Sequence, residues 1–233
     1  MKLKRIFAAV LAATMLLSFA GCANKDTQGG SSEPAGEQTT EERTTEPQTN
    51  EDGSLVKPKN AVSVSDDVKI KTYSGTSLIE IGNRVMEPYG NAYKNMKAYA
   101  DALNRLKAEM PNTKAYCLMA PTAIEFYAPS KYNTGVSKSQ YEGMCYIYEQ
   151  LKDITPVNAY AEMAAHTDEY LYFRSDHHWT TLGAYYAYRT FAKVAGFTPV
   201  DKDTLQTGKL SPFLGLFYKD TKSTALSNDP DYV

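Results

Sequence analysis

The sequence predicts an α/β fold, a three-layer sandwich with helices on both faces of a mainly parallel sheet. Three observations predict it. Strand-like and helix-like segments alternate along the last 165 or so residues. The strand-like runs are mostly apolar without strict alternation, which suits strands covered on both faces. The helical segments carry apolar residues at three- and four-residue spacing. Residues 68–233 are enough chain for one domain with its own core.

The elements follow in order. Residues 71–82, KTYSGTSLIEIG, read as one or two short strands closed by Gly82. Residues 91–110 form a helix whose Tyr93, Met96, Tyr99, Leu103, Leu106 and Met110 share the apolar spacing, and Pro111 and Asn112 end it. KAYCLMA, 114–120, is a core strand stopped by Pro121. The second unit repeats the order. Residues 140–151 are helical, with Tyr141, Met144, Tyr148 and Leu151 on one face. DITPVNAY is a short or edge strand, AEMAAH a helical turn or two, and EYLYFR, 169–174, a strand. Thr180 or Thr181 caps a last helix over 182–196, closed by Gly196.

Tyrosine is the unusual component, 18 of 233 residues. Most are expected in the core or its rim with the hydroxyl wet, and some suit the lining of a carbohydrate groove. Cys117 and Cys145 fit buried free thiols, although an export address permits a disulfide.

That address is at the N-terminus. MKLKR carries three positive charges, and a 16-residue apolar run leads to Cys22. The run is shorter than the roughly 20 residues a spanning helix needs, so it reads as a cleaved signal. Phe19, Ala20, Gly21 and Cys22 resemble a bacterial lipobox, which implies lipidation of Cys22 and an anchor on the extracellular face of the cell membrane. Residues 23–60 hold eight acids, four bases and no aromatic residue. Such a segment cannot offset the entropy of ordering its backbone. It reads as a tether reaching about 30–35 Å. The expected organisation is signal peptide 1–21, lipidated cysteine and tether 22–67, and α/β domain 68–233. From residue 61 onward the net charge is only −1, which offers no electrostatic case for nucleic acid.

One segment concentrates chemistry. Two of the three histidines, His177 and His178, stand beside Asp176 between a predicted strand and a predicted helix. Strand ends are where open α/β sheets place reactive groups. In a tight turn the Asp176–His178 spacing brings a carboxylate to one imidazole, orienting it as a general base for a hydroxyl nucleophile. Trp179 would pack over the loop. Two other readings stand beside this one: a divalent metal held by Asp176 and His178 with His177 or His166, and a structural loop in which the aspartate caps a helix. Arg174 suits a carboxylate or sugar acid, or a surface salt bridge. Asn83 suits an oxyanion donor or a turn. No cofactor fingerprint is present.

The SDHHW segment resembles the naming motif of the bacterial DHHW family. IGNRVMEPYG, YCLMAPTAIEFYAP, RSDHHWTTLGAYYAY and FLGLFYKDT agree with it across most of 73–233. That family is similar to SGNH-type hydrolases and to periplasmic O-acetyltransferases that modify exopolysaccharides such as alginate. The resemblance implies an SGNH-like sandwich in which Asp176 and His178 are two members of a Ser-His-Asp triad. The serine expected in a later segment has no counterpart before Val233, and Ser74, Ser77, Ser211, Ser223 and Ser227 lack its context. The expectation is therefore an incomplete domain that binds an envelope polysaccharide or a partner chain and is inactive alone. An esterase or O-acetyltransferase is the alternative, and a metal-binding domain the third.

Overall fold

A computed structural model describes residues 48–49, 55–133, 137–210 and 212–233. The signal segment, Cys22 and most of the tether lie outside them. Among the described residues no helix is long and apolar enough to cross a membrane. All described residues fall within the unit Glu41–Val233.

The expected three-layer sandwich is not what the chain forms. Strands β1 (Gln48–Thr49) and β2 (Leu55–Val56) make an antiparallel pair. Strands β3 (Ile70–Thr72), β4 (Ile79–Ile81) and β5 (Arg84–Met86) make an antiparallel meander. Gly82, at φ +62°, turns β4 into β5. After α1 (Tyr93–Glu109), strand β6 (Tyr116–Leu118) leads to α2 (Ile124–Tyr127), a 3-10 turn over Ser130–Asn133, and α3 (Gln140–Gln150). Strand β7 (Thr155–Val157) then pairs with β6, the one parallel pair among the described residues. Helices α4 (Tyr160–Ala164), α5 (Thr181–Ala195), α6 (Leu216–Thr221) and α7 (Thr224–Asn228) complete the chain, with a 3-10 turn at Lys202–Thr204. Helix outweighs strand, and the sheets stay small and separate.

Two local causes limit the sheet. Pro156 sits in the middle of β7 and has no N–H to donate, so β7 cannot serve as a fully paired central strand. The predicted strand at 169–174 makes only an isolated bridge, Tyr172 to Trp179, because its backbone folds back on its own hairpin.

What fills the centre instead is a set of aromatic rings. Phe126, Tyr141, Tyr160, Tyr172 and Tyr186 are each 2% exposed or less. Phe126 lies 5.0 Å from Tyr160, and Tyr141 lies 4.7 Å from Tyr160, between ring centroids. Two of these hydroxyls bond inside the protein rather than to water. Tyr172 donates to the Pro121 carbonyl at 2.6 Å and Tyr160 to Glu125 at 3.0 Å. Cys117 and Cys145 are buried free thiols.

Helix α1 keeps only part of its predicted face, with Met96 buried and Leu103 packed on the main core. Met96 and Ala100 are buried, whereas Tyr93, Tyr99, Leu106 and Met110 are exposed. The seam against α3 runs through Met96, Ala100 and Ile147. The segment 57–67, which composition places in the tether, lies along the domain. Lys57 pairs with buried Glu125 at 2.8 Å, and the Ala61 N–H donates to the Ala164 carbonyl at 2.9 Å.

Candidate functional site

The hairpin that replaces the predicted strand carries the histidines. Phe173 N–H donates to the His178 carbonyl at 3.2 Å, and Thr180 N–H donates to the Leu171 carbonyl at 2.8 Å. Thr180 then caps α5, its hydroxyl accepting from Gly183 N–H at 3.3 Å. Gly183 is where the hairpin touches that helix, since a Cβ there would stand 2.4 Å from the Leu171 carbonyl oxygen. The hairpin's far end meets β5 through Val85 N–H donating to the Arg174 carbonyl at 2.9 Å.

At the tip, Asp176 grips His178 twice. Its Oδ1 accepts from His178 N–H at 3.1 Å and lies 2.6 Å from His178 Nδ1. A carboxylate reaching the backbone two residues ahead is an Asx-type turn, and here the same oxygen also meets the ring. The Asp-x-His spacing thus brings the carboxylate within reach of the ring. The other oxygen, Oδ2, accepts from Leu216 N–H at 3.0 Å at the start of α6. Burial opposes ionisation of Asp176, but the Leu216 N–H, the His178 ring and the His178 N–H outweigh it and hold the carboxyl below the ordinary aspartate value.

The His178 side chain is 66% exposed, and among the described residues no hydrogen bond engages its Nε2. His177 lies alongside, ring centroids 3.9 Å apart, with Nδ1 3.6 Å from the same Asp176 Oδ1. His177 also borders a cavity of about 280 Å³ whose walls include Glu87, Tyr89, Thr122, Ile124 and Phe217. This open, mixed-polarity hollow lies directly beside His177.

Asp176, His177 and His178 offer donor atoms within 4.8 Å of one another, so the two adjacent histidines do converge on one acid. The Asp176–His178 contact itself has hydrogen-bond rather than ligand-to-ligand spacing. Donors around a tetrahedral zinc at ~2.0–2.1 Å stand about 3.3 Å apart. The 2.6 Å between Asp176 Oδ1 and His178 Nδ1 is instead a short hydrogen bond.

The other residues singled out from the sequence serve elsewhere. Asn83 Nδ2 donates to Asp229 at 2.8 Å, and the Arg174 guanidinium pairs with the same carboxylate and with Asp231. Neither donates to the Asp176–His178 pair. Trp179 is half-buried and packs against the main core. His166 belongs to another cluster, stacked on Tyr186 and bonded to Glu169. Among the described residues no serine or threonine hydroxyl bonds to His178. Ser74 and Ser77 are exposed, Ser223 caps α7 and bonds Glu80, and Ser227 donates to the Thr224 carbonyl. Ser211 lies outside the described residues.

Three residues of the site were not read from the sequence: Ser175, Gly215 and Asp231. Gly215 fits under Asp176 so closely that a Cβ would stand 2.6 Å from its Oδ2. FLGLFYKDT carried a signal, since it agrees with the family away from the histidines. Asp231 carried none.

The profile of the DHHW protein matches residues 47–233, and the chain belongs to the DHHW family. A crystal structure of a DHHW family protein from Eubacterium siraeum is 30% identical with a TM-score of 0.64, covering 71% of this chain and 55% of that one. The chain thus spans about half the length of that relative. Bacillus cereus PatB1, solved with a sulfonyl adduct, is 20% identical with a TM-score of 0.42, covering 55% of this chain and 45% of that one, a likeness too distant to bear on the site. No curated protein matches the chain.

Proposed function

We propose that this chain is a lipoprotein, anchored through Cys22 on the extracellular face of the membrane, whose Asp176–His178 pair is the base half of an ester-transfer site for envelope polysaccharide. The observation that carries this reading is the 2.6 Å Asp176–His178 contact beneath a two-thirds exposed ring. It leaves Nε2 free to take a proton. Asp176 orients the imidazole and favours the imidazolium, and His178 accepts the proton of an attacking hydroxyl and returns it to the leaving oxygen. The cavity bordered by His177 is where the acyl-bearing sugar would rest. The attacking hydroxyl comes from outside the described residues, either from further chain or from a partner. The length of the family relative leaves room for the former. In this reading the 233-residue chain binds glycan without turning it over.

The test has two parts. In membrane fractions of the source bacterium, His178→Ala should lower acyl turnover on envelope polysaccharide by about 10²–10⁴-fold, the usual worth of a general base. Unchanged turnover would refute the base role. The purified chain should release no acetate from acetylated xylan, and release at an enzymic rate would place the nucleophile within it.

A further inference from the structure

The Asp231 carboxylate is buried, its residue only 1% exposed, close to the end of the chain and far in sequence from the histidines. Its acceptor positions are filled almost entirely from residues just before Asp176. Oδ2 accepts from Ser175 N–H at 2.8 Å and from the Ser175 hydroxyl. Oδ1 accepts from Arg174 N–H at 3.0 Å, from Arg174 Nε at 3.1 Å and from the Tyr170 hydroxyl. An ionised carboxylate is acceptor-only, with about four lone-pair sites, so this one is saturated.

The consequence passes through Ser175. Its hydroxyl proton is committed to Asp231, so its oxygen is left to accept, and it accepts from Gly215 N–H at 2.9 Å. The Ser175 carbonyl accepts from Phe217 N–H at 2.9 Å, and Asp176 Oδ2 from Leu216 N–H at 3.0 Å. Three consecutive N–H groups, from 215 to 217, thus receive two consecutive hairpin residues, while Asp231 holds those residues from the other side. With its backbone clamped and Oδ2 occupied, Asp176 has Oδ1 left for His178. Phe213 and Asp231 also exchange a pair of backbone bonds at 2.8 and 2.9 Å, which fix the Asp231 backbone beside the hairpin.

We infer that Asp231 is a positioning residue for the Asp176–His178 pair, acting through Ser175 to aim the Asp176 carboxylate at Nδ1. This inference rests on the reading of that pair as a proton-transfer unit.

The experiment is nitrogen-edited proton NMR of the histidine rings in the 233-residue chain, which needs no substrate. The wild type should show a low-field His178 Nδ1–H resonance, and Asp176→Asn should lose it. Folded Asp231→Asn and Ser175→Ala should lose or strongly weaken it too, with circular dichroism unchanged. Persistence in Asp176→Asn would overturn the pairing and this inference with it. Loss in Asp176→Asn but persistence in a folded Asp231→Asn would overturn the inference alone. Should Asp231→Asn fail to fold, Ser175→Ala decides: it keeps the buried carboxylate and removes only the hydroxyl relay, so persistence there overturns the inference.

Discussion

At the scale of single residues, the site is built by short-range acceptors that leave little room. Asp176 uses one oxygen locally on His178 and the other across the fold on Leu216. That second contact exists because residue 215 has no side chain. A Cβ at Gly215 would stand 2.5 Å from Asp176 Cβ and 2.8 Å from the Ser175 carbonyl oxygen. Gly215→Ala should therefore displace Asp176, remove the His178 Nδ1–H resonance and destabilise the chain by about 1–3 kcal/mol, the usual cost of overpacking. Gly208→Ala is the control, with nothing within 4 Å of its added methyl, and should change stability by no more than about 0.5 kcal/mol. Urea unfolding of the two variants beside wild type reads both numbers.

At the scale of elements, α1 shows how periodicity can identify a helix and still misjudge its buried face. Tyr93, Tyr99, Leu106 and Met110 recur at helical spacing but stay between 40% and 56% exposed. The contact goes to the stripe that holds Ala100, which is fully buried, because a small residue there lets α3 approach closely. Aromatic rings on the outer stripe find partial cover instead, as Tyr93 does edge-on against Tyr146 at 5.0 Å. Met96→Ala should cost about 2–5 kcal/mol, the range for emptying a buried methionine site. Leu106→Gln should change stability by under about 0.5 kcal/mol, as surface substitutions do. Equal costs in thermal or urea unfolding would reverse the assignment of faces. The local signals at α5 were more reliable, because a threonine cap and a left-handed glycine are set by immediate neighbours. Thr180 accepts from Gly183 N–H, and Gly196 takes φ +85°.

At the scale of the whole molecule, carboxylates tie the segment after α5 to the rest. Asp231 holds residues 170–175, and Asp176 holds Leu216. Glu80 in β4 accepts from Tyr73 and from Ser223 at the start of α7. Burial works against the charge in each case, but the donated hydrogen bonds prevail, and all three carboxyls lie below their ordinary values. A depressed folded-state value means that the stabilisation is fully present above the unfolded value, about 3.9 for aspartate. It is lost as pH falls through the folded values. The melting temperature should hold from about pH 7 to 5 as far as these groups are concerned, then fall steeply below about pH 4. Asp231→Asn should flatten that fall, and an equally steep fall in the variant would place the acid-sensitive groups elsewhere. Circular dichroism melts across that range decide it.

What the sequence by itself determined was local: the ends of the three long helices, the turn at Gly82, and the nearness of the Asp176 carboxylate to the His178 ring. Each depends on residues within a turn or two of one another, so spacing alone carries the information. The assembly of the elements was decided only by the tertiary structure. Alternating strand and helix patterns suggested one parallel sheet, yet three-residue strands, a proline inside β7 and a hairpin that pairs with itself leave small separate sheets around an aromatic centre. The support of the site was decided at the same level. Asp231 and Gly215 meet the histidine hairpin only because the chain returns to it after α5, and no spacing in a single sequence records which distant acid will lose its water to a particular backbone turn.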